Sequence, residues 1–242
     1  MRKAAVLCLV FSALLAPRAH AQMKWTDKGF ANINIGGQSG SHNVETTTTF
    51  VVYDEDAQVT TTQKTGGGFL FDMNGGYKVW RNLVAAVGYT FMSASTDGAV
   101  TAGIPNPDVF GQLRTVTTTA TGLSHAEHAI NLMGVWMVPV TDKIDVGVSF
   151  GPSIFIVKQE LPGSITFTEP VPTVTNITKE SVSKTTAGIN MGVDVTYLLT
   201  KNKKMGVGGI LRYTWGSVDL DGAKDKLTVG GFQIGVGGRY RF

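Results

Sequence analysis

Cysteine, charge and long apolar runs are all scarce in this sequence. The single cysteine, Cys8, lies within the first apolar stretch, so residues 22–242 cannot form disulfide bonds. Charged residues make up 16% of the chain, whereas soluble domains have about 25%. After residue 21 no uncharged apolar stretch approaches the roughly 18 residues of a membrane-spanning helix, which excludes a helical membrane protein.

The N-terminus has the three parts of a secretory signal peptide. A basic start, Met1-Arg2-Lys3, precedes an apolar run from Ala4 to Leu15 and a small-residue end, Ala19-His20-Ala21. The alternative, an N-terminal core helix, is the weaker interpretation. We therefore predict a signal peptide at 1–21 and one mature domain at 22–242, in a protein exported from the cytoplasm.

The pI of the whole chain, 8.9, is basic because of the charges in this N-terminus. Three of the 21 Lys and Arg residues precede residue 22, whereas all 18 Asp and Glu residues follow it. The mature domain is thus formally neutral, and no nucleic-acid partner is predicted.

The rest of the chain alternates apolar and small or polar residues with a period of two, which predicts β-strands. In the fifth segment, for example, Val146, Val148 and Phe150 alternate with Gly147 and Ser149. Eight such segments occur, at 31–38, 69–78, 83–91, 127–138, 144–156, 187–197, 206–215 and 232–242. The fourth is the least regular, because Met133, Val135 and Met137 fall on its polar face.

The connections between the segments are of two kinds. Tight polar turns occur at 80–82, 139–142 and 200–203, and long polar links at 40–64, 97–122 and 158–183, with a shorter one at 219–225. Short turns on one side and long loops on the other are typical of a membrane barrel. We predict an all-β, eight-stranded antiparallel up-and-down transmembrane β-barrel with both termini in the periplasm and four extracellular loops.

Side-chain type predicts which face meets lipid. The polar face carries mostly Gly, Asn, Ser and Thr, which suit a narrow eight-stranded lumen, whereas a soluble barrel would expose many Lys and Glu. The apolar face ends in two predicted aromatic belts. One belt, at the short-turn end, consists of Tyr77, Trp80, Trp136, Tyr197, Tyr240 and Phe242, and the other of Phe69, Phe91, Tyr213 and Trp215.

The predicted lumen face carries four acidic and four basic residues. They are Asp72, Glu127, Asp145 and Asp194, with Lys78, Arg212, Arg239 and Arg241. Because an isolated buried charge costs several kcal/mol, we expect these charges to pair. A polar plug that fixes the strand register is the favoured interpretation, and a salt-bridge gate or narrow ion path is the alternative.

The C-terminus resembles that of the small outer-membrane β-barrel proteins, a group that includes the OmpA transmembrane domain and the OmpX-like and opacity-type barrels. In Gly237-Gly238-Arg239-Tyr240-Arg241-Phe242, Gly237, Tyr240 and Phe242 match the strand signal that the barrel-assembly machinery reads, whereas Gly235 replaces a usual polar residue. The resemblance covers the mature chain. It implies a monomer in outer-membrane lipid with a structural role or a surface-interaction role through its loops, toward an extracellular ligand or host surface.

The sequence also allows two other functions. One is a narrow pore for small solutes; the other is a lipid A-modifying enzyme, because Ser124-His125-Ala126-Glu127-His128 holds catalytic residue types. On a strand, however, Ser124 and His128 share one face, roughly 13 Å apart, and His125 and Glu127 share the other. We therefore predict no enzyme activity and, with three mature histidines and no cysteine, no metal or other cofactor.

Overall fold

The computed structural model describes residues 24–40, 42–219 and 226–242; the predicted signal peptide lies outside them. Ten strands form one antiparallel sheet. They are β1 (Gly29–Ser39), β2 (His42–Val52), β3 (Glu55–Thr65), β4 (Gly68–Trp80), β5 (Leu83–Asn106), β6 (Val109–Pro139), β7 (Ile144–Thr168), β8 (Thr173–Leu198), β9 (Met205–Val218) and β10 (Leu227–Arg241). In this part of the chain no helix is long and apolar enough to cross a membrane.

Eight of the ten strands close into a ring. β1 pairs with β4, the chain then meanders from β4 through β10, and β10 pairs back onto β1. All eight predicted segments are ring strands, so the predicted eight-stranded antiparallel up-and-down barrel is confirmed. The tight turns after β4, β6 and β8 lie together with the start of β1 and the end of β10, at what we call the short-turn end.

The three long links are not irregular loops, which corrects the prediction at 40–64, 97–122 and 158–183. The first forms a hairpin of its own, β2–β3, with Tyr53 and Asp54 at positive φ in its two-residue turn. The others continue the ring strands, because β5 pairs with β6 to the level of Asn106 and Val109, and β7 with β8 to Thr168 and Thr173. Threonine is β-branched and favours strands, so these Thr-rich segments extend the sheet.

We call the three extensions the first hairpin (42–65), the second hairpin (98–120) and the third hairpin (160–182). They meet in an apolar core, to which Val59 contributes from the first, Val100 and Ile104 from the second and Ile165 from the third. This hairpin end is therefore packed.

A seam separates the second and third hairpins. β6 and β7 pair from Pro139 and Asp145 only as far as His125 and Gln159. Side chains bridge the seam beyond that point: the backbone N–H and hydroxyl of Ser124 donate to Glu160 at 2.9 Å, and Lys179 donates to the carbonyl of Gly122 at 2.8 Å.

The outer face of the ring is apolar, as predicted, and the inner face carries the predicted polar and charged residues together with buried apolar side chains such as Leu70, Met92 and Ile210. Along β8 the exposed apolar side chains run from Ile189 to Tyr197, and along β9 they run from Met205 to Trp215. Between them on the opposite face, Asn190 and Arg212 are buried. A soluble barrel has the opposite arrangement. Here the lumen charges point inward and the aromatic belts point outward.

Two adjacent glycines at the closing strand provide a test of the ring. A Cβ on Gly237 would overlap the carbonyl oxygen of Ile33 on β1, whereas a Cβ on Gly238 would meet no atom within 4 Å. We expect Gly237→Ala to lower the free energy of unfolding by about 1–3 kcal/mol, the usual cost of overpacking, as measured by urea unfolding in detergent. Gly238→Ala is the matched control and should change little; equal effects of both substitutions would contradict the register of β1 against β10.

Candidate functional site

The centre of the lumen is organised around Asp72. Its carboxylate accepts hydrogen bonds from Arg212 (2.5 Å), Thr90 (3.0 Å), Asn34 (2.9 Å) and Asn74 (2.7 Å). Asp72 is fully buried and Arg212 nearly so. A carboxylate so far from water is tolerable because a cation and three further donors surround it.

Two further ion pairs lie nearer the short-turn end. Arg239 holds Asp194 through two bonds, Nε to Oδ1 at 3.1 Å and Nη2 to Oδ2 at 2.8 Å. Arg241 lies 3.6 Å from Asp145 and also donates to Thr196 at 2.6 Å. Three of the predicted acids thus pair with three of the predicted bases.

Glu127 and Lys78 depart from the expected pairing of lumen charges. Among the described residues no Lys or Arg pairs with Glu127; it accepts from His125 (2.9 Å), from Gln38 (2.9 Å) and from the backbone N–H of Gly230 (3.0 Å). Lys78 donates to the carbonyl of Trp25 at 3.0 Å. Near the hairpin end a histidine, an amide and a backbone N–H replace the arginines. Spacing within β6 placed His125 and Glu127 on one face, but it could not reveal Gln38 and Gly230 on other strands.

An apolar plug that the sequence reasoning missed closes the short-turn end of the lumen. Its buried side chains are Trp25, Phe30, Val84, Met133, Val135 and Met137. The segment before β1 carries Trp25 into the barrel, where its backbone N–H donates to Asn82 at 3.1 Å. The three apolar residues that made the fourth segment look irregular were the available signal, because they point inward to meet Trp25.

The lumen has little free space. The cavity between the plug and the ion pairs measures about 30 Å³ and is lined by Asn32, Met133, Asp194 and Arg212 among others. Such a volume holds only a water molecule or two. The apolar plug lies on one side of this cavity, and the hairpin core lies beyond the ion pairs on the other.

The Ser-His-Glu cluster is split between the two faces of β6, as its spacing predicted. Ser124 is exposed and its hydroxyl donates to Glu160, while His125 is buried between Gln159 (2.6 Å) and Glu127 (2.9 Å). His128 faces outward and lies 2.7 Å from the Tyr89 hydroxyl. The cluster therefore brings no serine within reach of a histidine, and no group of three His, Cys, Asp or Glu suited to a metal occurs among the described residues.

Polar contacts join the three hairpin tips, and most of them converge on Glu169. Glu169, at the third tip, accepts from both terminal nitrogens of Arg114 on the second hairpin (2.6 and 2.8 Å) and from the Tyr53 hydroxyl of the first hairpin (3.1 Å). Arg114 also donates to the carbonyl of Pro105 at 2.9 Å. We call Tyr53, Arg114 and Glu169 the tip latch. The hydrogen bonds from Arg114 hold the pKa of the Glu169 carboxyl below its usual range.

The predicted aromatic belts lie on the outer face. At the short-turn end Trp80 and Trp136 contact each other edge to face, with ring centroids 6.5 Å apart. Tyr77, Tyr197, Tyr240 and Phe242 are exposed at the same end, and Phe69, Tyr213 and Trp215 toward the hairpin end. Phe91 is only half-exposed because His128 packs over it, at 5.0 Å between ring centroids.

No protein-family model and no curated protein matches the chain. Solved structures similar to it include Neisserial surface protein A (14% identity, covering 88% of this chain and 96% of that one, TM-score 0.48). The N-terminal β-barrel domain of Pseudomonas aeruginosa OprF (11%, 91% and 100%, TM-score 0.40) and the P. aeruginosa outer membrane protein OprG (10%, 89% and 97%, TM-score 0.45) are also similar. Likeness at this level assigns no function.

The Asp72–Arg212 pair predicts a strong asymmetry between single and double substitutions. Arg212→Met alone leaves a buried carboxylate without its cation and should lower the free energy of unfolding by about 3–5 kcal/mol. Adding Asp72→Asn to Arg212→Met should restore much of that loss, because no unpaired charge is left. Urea unfolding of both single variants and the double variant in detergent measures the coupling; strictly additive losses would show that the pair is not a unit.

The tip latch predicts a pH dependence. Because the Glu169 pKa is lowered in the folded protein, its contribution is present above the usual carboxyl pKa and is lost as pH falls through the lowered value. Residues 22–242 contain no cysteine, so spin labels on Asp108→Cys and Val171→Cys can report the separation of the second and third tips. We expect the tips to separate at acid pH. Glu169→Gln should abolish the dependence, and a pH-independent separation in the wild-type background would contradict the latch.

Proposed function

We propose that this chain is a bacterial outer-membrane β-barrel protein that serves as a closed structural scaffold and presents its three hairpins for surface interaction. The observation that carries the proposal is a ring whose outer face is apolar and whose lumen is filled. The apolar outer face has no packing partner among the described residues, and a filled lumen transports nothing.

The dimensions of the apolar face support membrane embedding. A membrane-crossing β-strand needs about 9–11 residues, and the exposed apolar stretch from Ile189 to Tyr197 of β8 has this length. Aromatic side chains lie toward both ends of the apolar stretch, as they do at membrane interfaces. A closed ring also leaves no unpaired strand edge in hydrocarbon.

The unequal ends of the barrel support one orientation. Outer-membrane barrels have short periplasmic turns and long extracellular connections. The start of β1 and the end of β10 would then lie in the periplasm with the tight turns, and the hairpins would extend outward. A cleaved signal peptide at 1–21 and recognition of Gly237, Tyr240 and Phe242 by the barrel-assembly machinery belong to the same proposal, as does a monomeric state.

The length of the hairpins favours a surface role over transport. β6 and β8 have 31 and 26 residues, more than twice what a bilayer crossing requires. The core between the hairpins and the tip latch make the projecting part rigid, and rigidly held surface segments are where binding residues concentrate. The expected partner is an extracellular ligand or a host surface. No catalytic activity is proposed, because Ser124 is held by Glu160 and His125 faces the lumen.

Cysteine labelling tests the location and orientation. In intact cells a membrane-impermeant maleimide should label Asp108→Cys at the second tip. Lys201→Cys in the β8–β9 turn is the matched control and should be labelled only after the outer membrane is permeabilised. Labelling of both positions in intact cells, or of neither position before permeabilisation, would contradict the proposed placement.

The same Asp108→Cys variant tests the surface role. Coupling a bulky polyethylene-glycol maleimide to it should reduce the adhesion of expressing bacteria to an epithelial cell layer, relative to coupled wild-type cells without the cysteine. Unchanged adhesion would count against the surface role. Steady conductance steps of the purified wild-type protein in a planar bilayer would instead favour the narrow pore.

A further inference from the structure

Outside the lumen, unpaired basic side chains gather at the short-turn end. Two basic residues of this end have acidic partners, Lys203 with Asp142 and Lys204 with Asp27, each at 3.3 Å. The basic side chains that form no ion pair with any described residue are Lys24, Lys28, Arg81, Lys143 and Lys201. This end therefore carries surplus positive charge.

The hairpin end has the opposite character. The tip of the first hairpin holds Asp54 in its turn and Glu55 and Asp56 at the start of β3, and the second tip holds Asp108. A mature chain that is neutral in total is thus positive at one rim and acidic at the other. An even distribution of charge for solubility would not produce this separation.

A concavity at the basic rim opens beside the aromatic belt. It measures about 420 Å³ and is lined by Lys24, Arg81, Asn82 and Trp136. Trp136 belongs to the belt and contacts Trp80. Lys24 and Arg81 therefore line the concavity at the rim, and the indole of Trp136 lines it next to the apolar outer face.

The backbone holds Arg81 at this place at some cost. Its φ of 44° lies in the left-handed region, where glycine and asparagine are the usual residues. Its guanidinium carbon lies 4.7 Å from the centre of the Trp80 ring, which is a cation–π geometry. The tight β4–β5 turn thus places a cation directly against the belt.

We propose that this concavity binds the headgroup of an anionic phospholipid in the leaflet that the short-turn end faces. Lys24 and Arg81 contact the phosphate, and the acyl chains follow the apolar face below Trp136. The inference rests on the proposed membrane embedding. A soluble polyanion would contact the same cations. However, the site has an exposed indole and an apolar wall beside its cations, and only a lipid has apolar chains beside its phosphate.

Brominated lipids test the site in the full-length protein. Trp25 is buried in the lumen and Trp215 lies toward the hairpin end, so in a Trp215→Phe background the lipid-accessible fluorescence comes from Trp80 and Trp136. The protein is inserted into phosphatidylcholine vesicles that contain either brominated phosphatidylglycerol or brominated phosphatidylcholine as a minor component. Quenching then gives the relative affinity of the rim for the two headgroups.

We expect a preference for phosphatidylglycerol of about five-fold or more, the effect of a single lysine or arginine near an anionic surface. Lys24→Gln with Arg81→Gln should reduce the preference toward one, and added salt should weaken it. The control variant, Lys64→Gln with Lys158→Gln, removes the same number of positive charges at the hairpin end and should leave the preference for phosphatidylglycerol unchanged.

Two results would overturn the inference while leaving the membrane barrel in place. One is insertion with equal quenching by both lipids, and the other is an equal loss of preference in both double variants, which would indicate a diffuse charge effect. Failure of the wild-type protein to insert into either vesicle would instead contradict the proposed function itself.

Discussion

Phe30 to Ser39 of β1 pair residue by residue with Arg241 to Phe232 of β10, and without these bonds the first and last ring strands would be open edges. The rest of the architecture depends on this closure. Once the sheet is a ring, it has a convex outer face and a narrow inner face. The outer face carries apolar side chains, and the inner face carries those that fit a narrow lumen. Eight strands leave an interior just wide enough for side chains to fill it.

The filling of that interior differs along its length for physical reasons. At the short-turn end Trp25 and Phe30 exclude water with apolar contacts. In the middle, arginines neutralise Asp72 and Asp194 because apolar residues cannot satisfy a buried carboxylate. Toward the hairpins Glu127 is met by a histidine, an amide and a backbone N–H. In the two polar layers the buried charged groups find hydrogen-bond partners on other strands, and these contacts hold the strand register.

The period-two pattern was enough to predict the ring strands, their outward apolar face and the inward direction of residues such as Asp194 and Arg212, because alternation is a local property of a strand. It could not predict that Gln38 and Gly230 contact Glu127 or that Trp25 enters the lumen, since those contacts join positions far apart in the chain. The Thr-rich links were misjudged as loops because polarity was weighed more than β-branching. The sequence signal in the second link is the alternation of Val100, Ala102 and Ile104, which are buried, with Thr101 and Gly103. The tip latch unites three hairpins and has no signature within any one of them.

The seam between β6 and β7 has a consequence for how the projecting part stays free of other chains. An unpaired strand edge is a template on which a foreign strand can add, and from there aggregation can start. Here the edge groups nearest the ring are already occupied, the N–H of Ser124 by Glu160 and the carbonyl of Gly122 by Lys179. An incoming strand would have to displace a carboxylate and an ammonium group, each of which brings charge to the edge. The side chains that bridge the seam thus oppose the addition of a strand from another chain at this edge, and with it aggregation.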